Sequence, residues 1–289
     1  MSNRLIFAST ACLASRTSLE EVLDRYVAAG LEYIEIGAAR PTGTHDLRNS
    51  LAGYSAHFLI HNYFIQPAHS FVLNLAAQDA RLLEQSLALC RQAIDLCAGL
   101  GAPFYSVHAG FRADPTPQSL GQALQYGQVS PYELAHKTFV ESLHRLLDYG
   151  RERGVQLLVE PNVLARFNLV QGRNDLLLIC TGDEIVQMMR NVNDPNLGIL
   201  LDTGHLNVTA HTLGFEREDF IDQVAPYVRA LHVHENDGQV DKHWPVQIDS
   251  WVLAVLDRSE FANLPLIVEA KFETVADLRL HIDWLKDRL

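Results

Sequence analysis

"SPYELAHKTFVESLHRLLDYGRERGVQLLVEPN", residues 130–162, is the stretch whose reading decides the fold. Apolar residues recur through 132–147 at helical spacing, Gly154 stands where a helix would close, and a short apolar run follows that ends on Glu160. A helix that leads at once into a strand is half of a parallel repeat. The same kind of apolar, β-branched or aromatic run recurs as "RLIFAST" (4–10), "YIEIG" (33–37), "HFLIHNYF" (57–64), "PFYSVHAG" (103–110), "LGILLDTGH" (197–205), "ALHVHEND" (230–237) and "PLIVEAKF" (265–272). With "QLLVEPN" (156–162) that makes eight. Helical stretches at 18–30, 79–101, 130–154 and 274–289 fall between or after them. Ser18 with Glu21 forms a capping box, and Gly30 and Gly101 are further candidate helix ends. Strand then helix, repeated, requires crossover connections and parallel strands. Eight units predict an α/β chain folded as a (β/α)8 TIM barrel, one domain over residues 1–289. An open doubly wound sheet fits less well, because no GxGxxG follows the first run.

With 289 residues, 48% of them hydrophobic, the chain can bury a large core. Its formal charge of -12 argues against coating a nucleic acid, which needs clustered Lys and Arg. Cys12, Cys90, Cys97 and Cys180 form no CxxC pair and read as buried free thiols of a reducing compartment. No apolar run reaches the ~18 residues of a membrane helix, so a cytoplasmic protein without a membrane partner is expected.

Barrel enzymes build their sites at the C-terminal ends of their strands. Here those ends carry His61, His108, Glu160, Asp202 with His205 three residues on, His234 and Glu269, and the seventh loop adds Asp241 and His243. Singly, each has an ordinary explanation as a hydrogen-bonded or surface residue. Nine on one rim, with few Lys or Arg beside them, predict a divalent-metal site instead. Imidazole and carboxylate without thiolate suit Mn, Co, Zn or Mg, in one to three ions. Glu160 and Glu269 are candidates for shared ligands. His232, two residues before His234, reads as one layer deeper in the core. Around the rim, Glu35, Asn62, Tyr63, Trp244 and Lys271 are candidate substrate contacts, with Arg112 and Arg166 as weaker ones. Packing explains the aromatic residues equally well, and an Arg partner would explain Glu35.

"VEP" at Glu160, "DTGH" at Asp202 and His205, "HVHENDG" at His234, "DKH" at Asp241 and His243, and "VEAKF" at Glu269 together resemble the xylose isomerase-like barrel superfamily over essentially the whole chain. That superfamily groups sugar (phosphate) isomerases and epimerases with endonuclease IV. Resemblance to its tagatose and psicose 3-epimerase type implies one divalent ion held by Glu160, Asp202, His234 and Glu269. It also implies that the two glutamates act as acid and base next to a carbonyl, with His205 contacting a sugar-like substrate. Homodimers are common in that group, which makes a second copy an expected partner.

Resemblance to endonuclease IV draws on the enlarged set, with His61 (or His69), His108, His205, Asp241 and His243 added, and implies a zinc cluster that hydrolyses phosphodiesters as an AP endonuclease does. Against it, the loop "AARPTGTHDLRNSLAGYS" (38–55) lacks a basic, aromatic run able to grip a duplex, and "HAGF" stands in place of "HPGS". A non-catalytic metal-binding barrel is the third reading. Whether the substrate is phosphorylated stays open at this point.

Overall fold

The computed structural model describes residues 4–13, 18–37, 47–64, 67 and 70–289. Its strands are β1 (Ile6–Ser9), β2 (Tyr33–Ile36), β3 (His57–His61), β4 (Phe104–His108), β5 (Gln156–Glu160), β6 (Leu197–Asp202), β7 (Val228–Val233) and β8 (Leu266–Val268). The helices are α1 (Leu19–Ala28), α2 (Leu47–Ala52), α3 (Ala80–Leu100), α4 (Tyr132–Arg151), α5 (Gly182–Val192), α6 (Thr203–Leu213), α7 (Arg217–Val224), α8 (Trp251–Leu256) and α9 (Val275–Arg288). All eight strands pair in parallel and in chain order, and β1 closes the ring on β8. This is the (β/α)8 barrel that the repeated helix-to-strand pattern predicts.

Local signals set the helix ends. Ser18 and Glu21 form the expected capping box on α1, and Gly101 closes α3 at φ 72°, where a side chain would be strained. On α3, Leu87, Cys90, Ile94 and Cys97 lie on one buried stripe, and all four cysteines are free and buried. Within DTGH the strand ends at Asp202, as expected, and a helix begins at once. The Asp202 carboxylate accepts the His205 N–H at 2.7 Å and so caps α6. No loop separates the two elements, so the apolar run hides the change.

Side chains alternate along each strand. One set packs against the helices, among them Ile34, Ile60, Val107, Val159, Ile199 and Leu231. The other set fills the barrel. Phe7, Leu59, Phe104, Leu158, Leu200, Ala230 and Ile267 form an apolar disc inside it, with Tyr33 of β2 against them. Two residues further along every strand, the same inward direction belongs to Ser9, Glu35, His61, Ser106, Glu160, Asp202, His232 and Glu269. An apolar floor thus carries a polar ring. No helix among the described residues is long and apolar enough to cross a membrane.

Candidate functional site

The polar ring is the deepest part of the site. Glu160, Asp202 and His232 are 0 to 1% exposed, and Glu269, just past β8, keeps 13% at its side chain. His232 Nδ1 lies 3.3 Å from Glu160 Oε1, 3.3 Å from Glu269 Oε2 and 3.6 Å from Asp202 Oδ2. The ligand atoms of these four residues all fall within 4.8 Å of one another. The sequence reading put His234 in this group and His232 below it, whereas the structure places His232 at its centre. Register gives the reason: Asp202 pairs with His232 across β6 and β7, so those two are level and His234 stands one layer higher.

Glu35 explains how His232 is aimed. Its Oε1 accepts from His232 Nε2 at 3.0 Å, and both side chains are fully buried. The ring is thereby fixed with Nδ1 toward the acids, the usual role of a carboxylate behind a metal-binding imidazole. Glu35 therefore lies beneath the site, outside the cavity where a sugar hydroxyl could reach it, and its partner is a histidine rather than an arginine.

Two further groups flank the four. His61 Nε2 and His108 Nε2 stand 3.3 and 3.6 Å from Glu160 Oε2, and His61 Nδ1 lies 3.0 Å from Ser106 Oγ. On the other side, His234, Asp241 and His243 bring a ligand atom each within 4.8 Å. His205 Nδ1 donates to the Pro161 carbonyl at 3.0 Å and His243 Nδ1 to the Glu269 carbonyl at 3.1 Å. A carbonyl only accepts, so Nδ1 is protonated in both rings and Nε2 turns to Asp241 Oδ2, at 3.5 Å from His205 and 3.0 Å from His243. His243 takes a positive φ of 52°, a conformation a non-glycine residue holds only when its surroundings enforce it. His69 lies outside the described residues, as do residues 38–46 of the second loop.

Several supports escaped the sequence reading. Thr203 Oγ1 donates to the His234 carbonyl at 2.8 Å, and Asn236 Nδ2 bridges the Gly204 carbonyl and Asp241 Oδ1. Gly204 is required by close approach: a Cβ there would meet His234 Cε1 at 1.9 Å. Thr203 and Gly204 sit inside DTGH and Asn236 inside HEND, so the signal was in the motifs, as the residues between the ligands.

Electrostatics bind the cluster together. Burial raises the Glu160 carboxyl, yet His108, His232, His61 and His205 outweigh it and hold it at about 2. Asp202 is also held well below the carboxylate range, burial being overcome by His205 and His234. Burial lowers His232, but Glu35, Glu269 and Glu160 push it well above the ordinary value. His108 goes the other way, to about 4, because burial outweighs its attraction to Glu160. Among the described residues no Lys or Arg pairs with Glu35, Glu160, Asp202, Asp241 or Glu269. Glu160 Oε2, Glu35 Oε2 and His234 Nδ1 are buried without a hydrogen bond. Buried carboxylates compensated only by imidazoles, with such atoms left over, fit a divalent cation.

Above the ring opens a cavity of about 390 Å³. His108, Asp241, His243 and Lys271 border it on the ring side, and Asn62 and Tyr63 lie in its wall. Asn62 has a positive φ of 41°, and its Oδ1 is buried without a partner. The Tyr63 hydroxyl accepts from Leu73 N. Trp244 stands apart from the lining: it is 45% exposed, with Lys242 Nζ 4.9 Å from its ring centroid. Arg112 is tied to Asp175 at 3.2 Å and to the Ser130 carbonyl, and Arg166 is exposed. Neither lines the cavity.

A closed parallel barrel with a buried carboxylate–imidazole cluster at its C-terminal face defines a TIM barrel able to hold metal. The sequence profile of the xylose isomerase-like TIM barrel matches residues 23–288, and the chain belongs to that family. Fructoselysine 3-epimerase of Shigella flexneri is 21% identical over 176 residues, 61% of this chain and 54% of that protein, so the match spans about half of the relative's length. A D-tagatose 3-epimerase-like protein superposes with a TM-score of 0.69 at 18% identity, covering 98% of this chain and 96% of the other. A family 2 AP endonuclease from Brucella melitensis does so with a TM-score of 0.65 at 16% identity, with 98% of each chain covered. At such identities the two structures establish a common fold.

Proposed function

We propose that the protein is a divalent-metal-dependent isomerase or epimerase of a small polyhydroxylated carbonyl compound, acting by proton transfer at the carbon beside the carbonyl. One observation carries this reading: Glu160, Asp202 and Glu269 converge on His232 in the buried polar layer beneath the open cavity that His108, Asp241 and His243 border, with no Lys or Arg among the described residues to neutralise them. Glu160, Asp202, His232 and Glu269 would hold the ion, which when bound polarises a carbonyl and an adjacent hydroxyl and stabilises enediolate charge. Glu269, the one of the four with side-chain exposure, takes the proton from carbon, and Glu160 serves as the second carboxylate. His205 lies outside the cavity lining; with Nδ1 on the Pro161 carbonyl and Nε2 toward Asp241 it would orient that acid at the cavity edge, where a substrate hydroxyl can meet it. Asn62 offers its free Oδ1 to a hydroxyl. The epimerases among the relatives support the same class.

Metal-dependent phosphodiester hydrolysis is the second reading, favoured by the flanking groups around His61 and His108 and around Asp241 and His243, which give room for more than one ion. Against it, Lys271 is the one Lys or Arg in the described cavity lining, too few to seat a phosphate backbone. Elemental analysis of the purified protein, followed by NMR of ketoses in D2O, tests the choice. Near one Mn or Co per chain, with deuterium entering beside the carbonyl, is the expected result. Two to three Zn with cleavage of an abasic-site oligonucleotide would reverse it.

A further inference from the structure

The cavity has two unlike walls. Besides the histidine and acid rim, it is lined by Val72, Phe111, Leu120, Leu124, Phe167 and Leu177. Two of its amide groups there are already committed: Asn162 Nδ2 donates to the Ala109, Gly110 and Leu178 carbonyls, and Asn168 Oδ1 accepts from Leu124 N at 2.9 Å. Leu120 and Phe167 are 43% and 42% exposed at the mouth, large apolar groups left facing water. The wall is also preformed, because Phe111, Leu164, Leu176 and Leu177 make a core of their own with Leu124 packed on it, and Phe111 bridges to Leu177.

An unsubstituted sugar fits this wall poorly. It carries a hydroxyl on nearly every carbon, and a hydroxyl pressed against apolar side chains loses water without gaining a partner. The space is also generous. At about 30 Å³ per liquid water, a cavity of about 390 Å³ holds the volume of roughly 13 waters, more than the twelve covalently joined heavy atoms of a hexose need.

Resting on the proton-transfer reading, we infer that the substrate is a sugar-like carbonyl compound bearing an apolar or aromatic substituent, and that the wall of Phe111, Leu120, Leu124 and Phe167 binds that substituent while the polar end meets the metal-ligand rim. The wall is continuous with the catalytic cavity, which selects a part of the substrate over a separate partner. Phe111 and Leu124 are held by that core, so little ordering of them opposes binding.

The test uses the metal-loaded full chain and a matched pair: a free ketohexose and the same ketohexose with a phenyl ether at its terminal carbon. Calorimetry reads binding, and deuterium incorporation in D2O reads proton transfer. The phenyl compound should bind at least tenfold more tightly, about 1.4 kcal/mol, and F167A and L120A should each shrink that preference toward one. Equal binding of the pair, no binding of the phenyl compound, or a preference untouched by both variants overturns the inference. So does sedimentation showing a second copy of the chain seated on this wall. Deuterium exchange without any preference leaves the proton-transfer reading standing and removes this one. A preference sensitive to both variants, without exchange in either compound, does the opposite.

Discussion

Gly204→Ala is a small change with a sign that ordinary helix energetics gets wrong. Gly204 lies in the first turn of α6, where replacing glycine by alanine commonly stabilises by about 1 kcal/mol. Here the new methyl would stand 1.9 Å from His234 Cε1 and 2.4 Å from Nδ1, so the imidazole has to retreat by more than an ångström. Three things resist. His234 Nε2 is 3.1 Å from Asp202 Oδ2, its backbone is pinned at both N–H and carbonyl by Thr203 Oγ1, and its ring stacks on His243 at 4.2 Å. Overpacking costs about 1–3 kcal/mol, and losing a hydrogen bond to a charged group about 1.5–3 kcal/mol. Set against the helix gain, the net loss is about 1.5–5 kcal/mol. Urea unfolding at neutral pH measures it directly, with His234→Ala and the double variant completing a cycle. In the double variant most of the loss from the added methyl should vanish. A Gly204→Ala protein as stable as the parent, or more so, would refute the close approach and with it the placement of His234 beneath His243.

Other outcomes follow from the same geometry. Glu35→Gln keeps an acceptor for His232 but removes the charge behind it, so divalent-metal affinity measured by calorimetry should fall roughly 10- to 100-fold; a change within twofold would leave Glu35 without a role in aiming the ring. Glu160→Gln combined with Asp202→Asn should lower deuterium exchange by at least about 100-fold while circular dichroism shows a folded barrel, whereas a purely structural metal centre would lose thermal stability first. His281, between Phe272 and Trp284 with Nε2 unpartnered, is lowered by burial to about 4. The fold keeps this ring neutral, so its contribution is intact above the unfolded value of 6.5 and drains away as pH falls from 6.5 to 4, by an amount on the order of 2 kcal/mol. His281→Phe should reduce that acid loss, read from urea unfolding at pH 7 and pH 4.5.

The barrel was legible because each strand is a short apolar run ended by a polar residue, and because helices of the α3 and α4 kind announce themselves by spacing and caps. Strand ends were legible only to within a few residues. The run at 230–237 contains the end of β7 but does not say whether His232 or His234 is level with Asp202. Alternation makes both face inward, and the choice depends on register between neighbouring strands, which no single segment encodes. Glu35 was misplaced for a related reason: it occupies the same inward layer as Glu160, so its depth is fixed by the ring around it and not by its own strand. The apolar wall went unread altogether, since Leu120, Leu124 and Phe167 come from two loops whose meeting is set by tertiary contacts such as the Leu124–Asn168 hydrogen bond.

The disc of Phe7, Leu59, Phe104, Leu158, Leu200, Ala230 and Ile267 makes the barrel a cup rather than a tube. Whatever enters must leave through the same mouth, and the small solute has to arrive before the large one. On the proposed function, an organic molecule seated above His108 and His243 would act as a stopper, imposing an order of arrival and departure, and saturating substrate should slow the escape of a bound cation to a chelator.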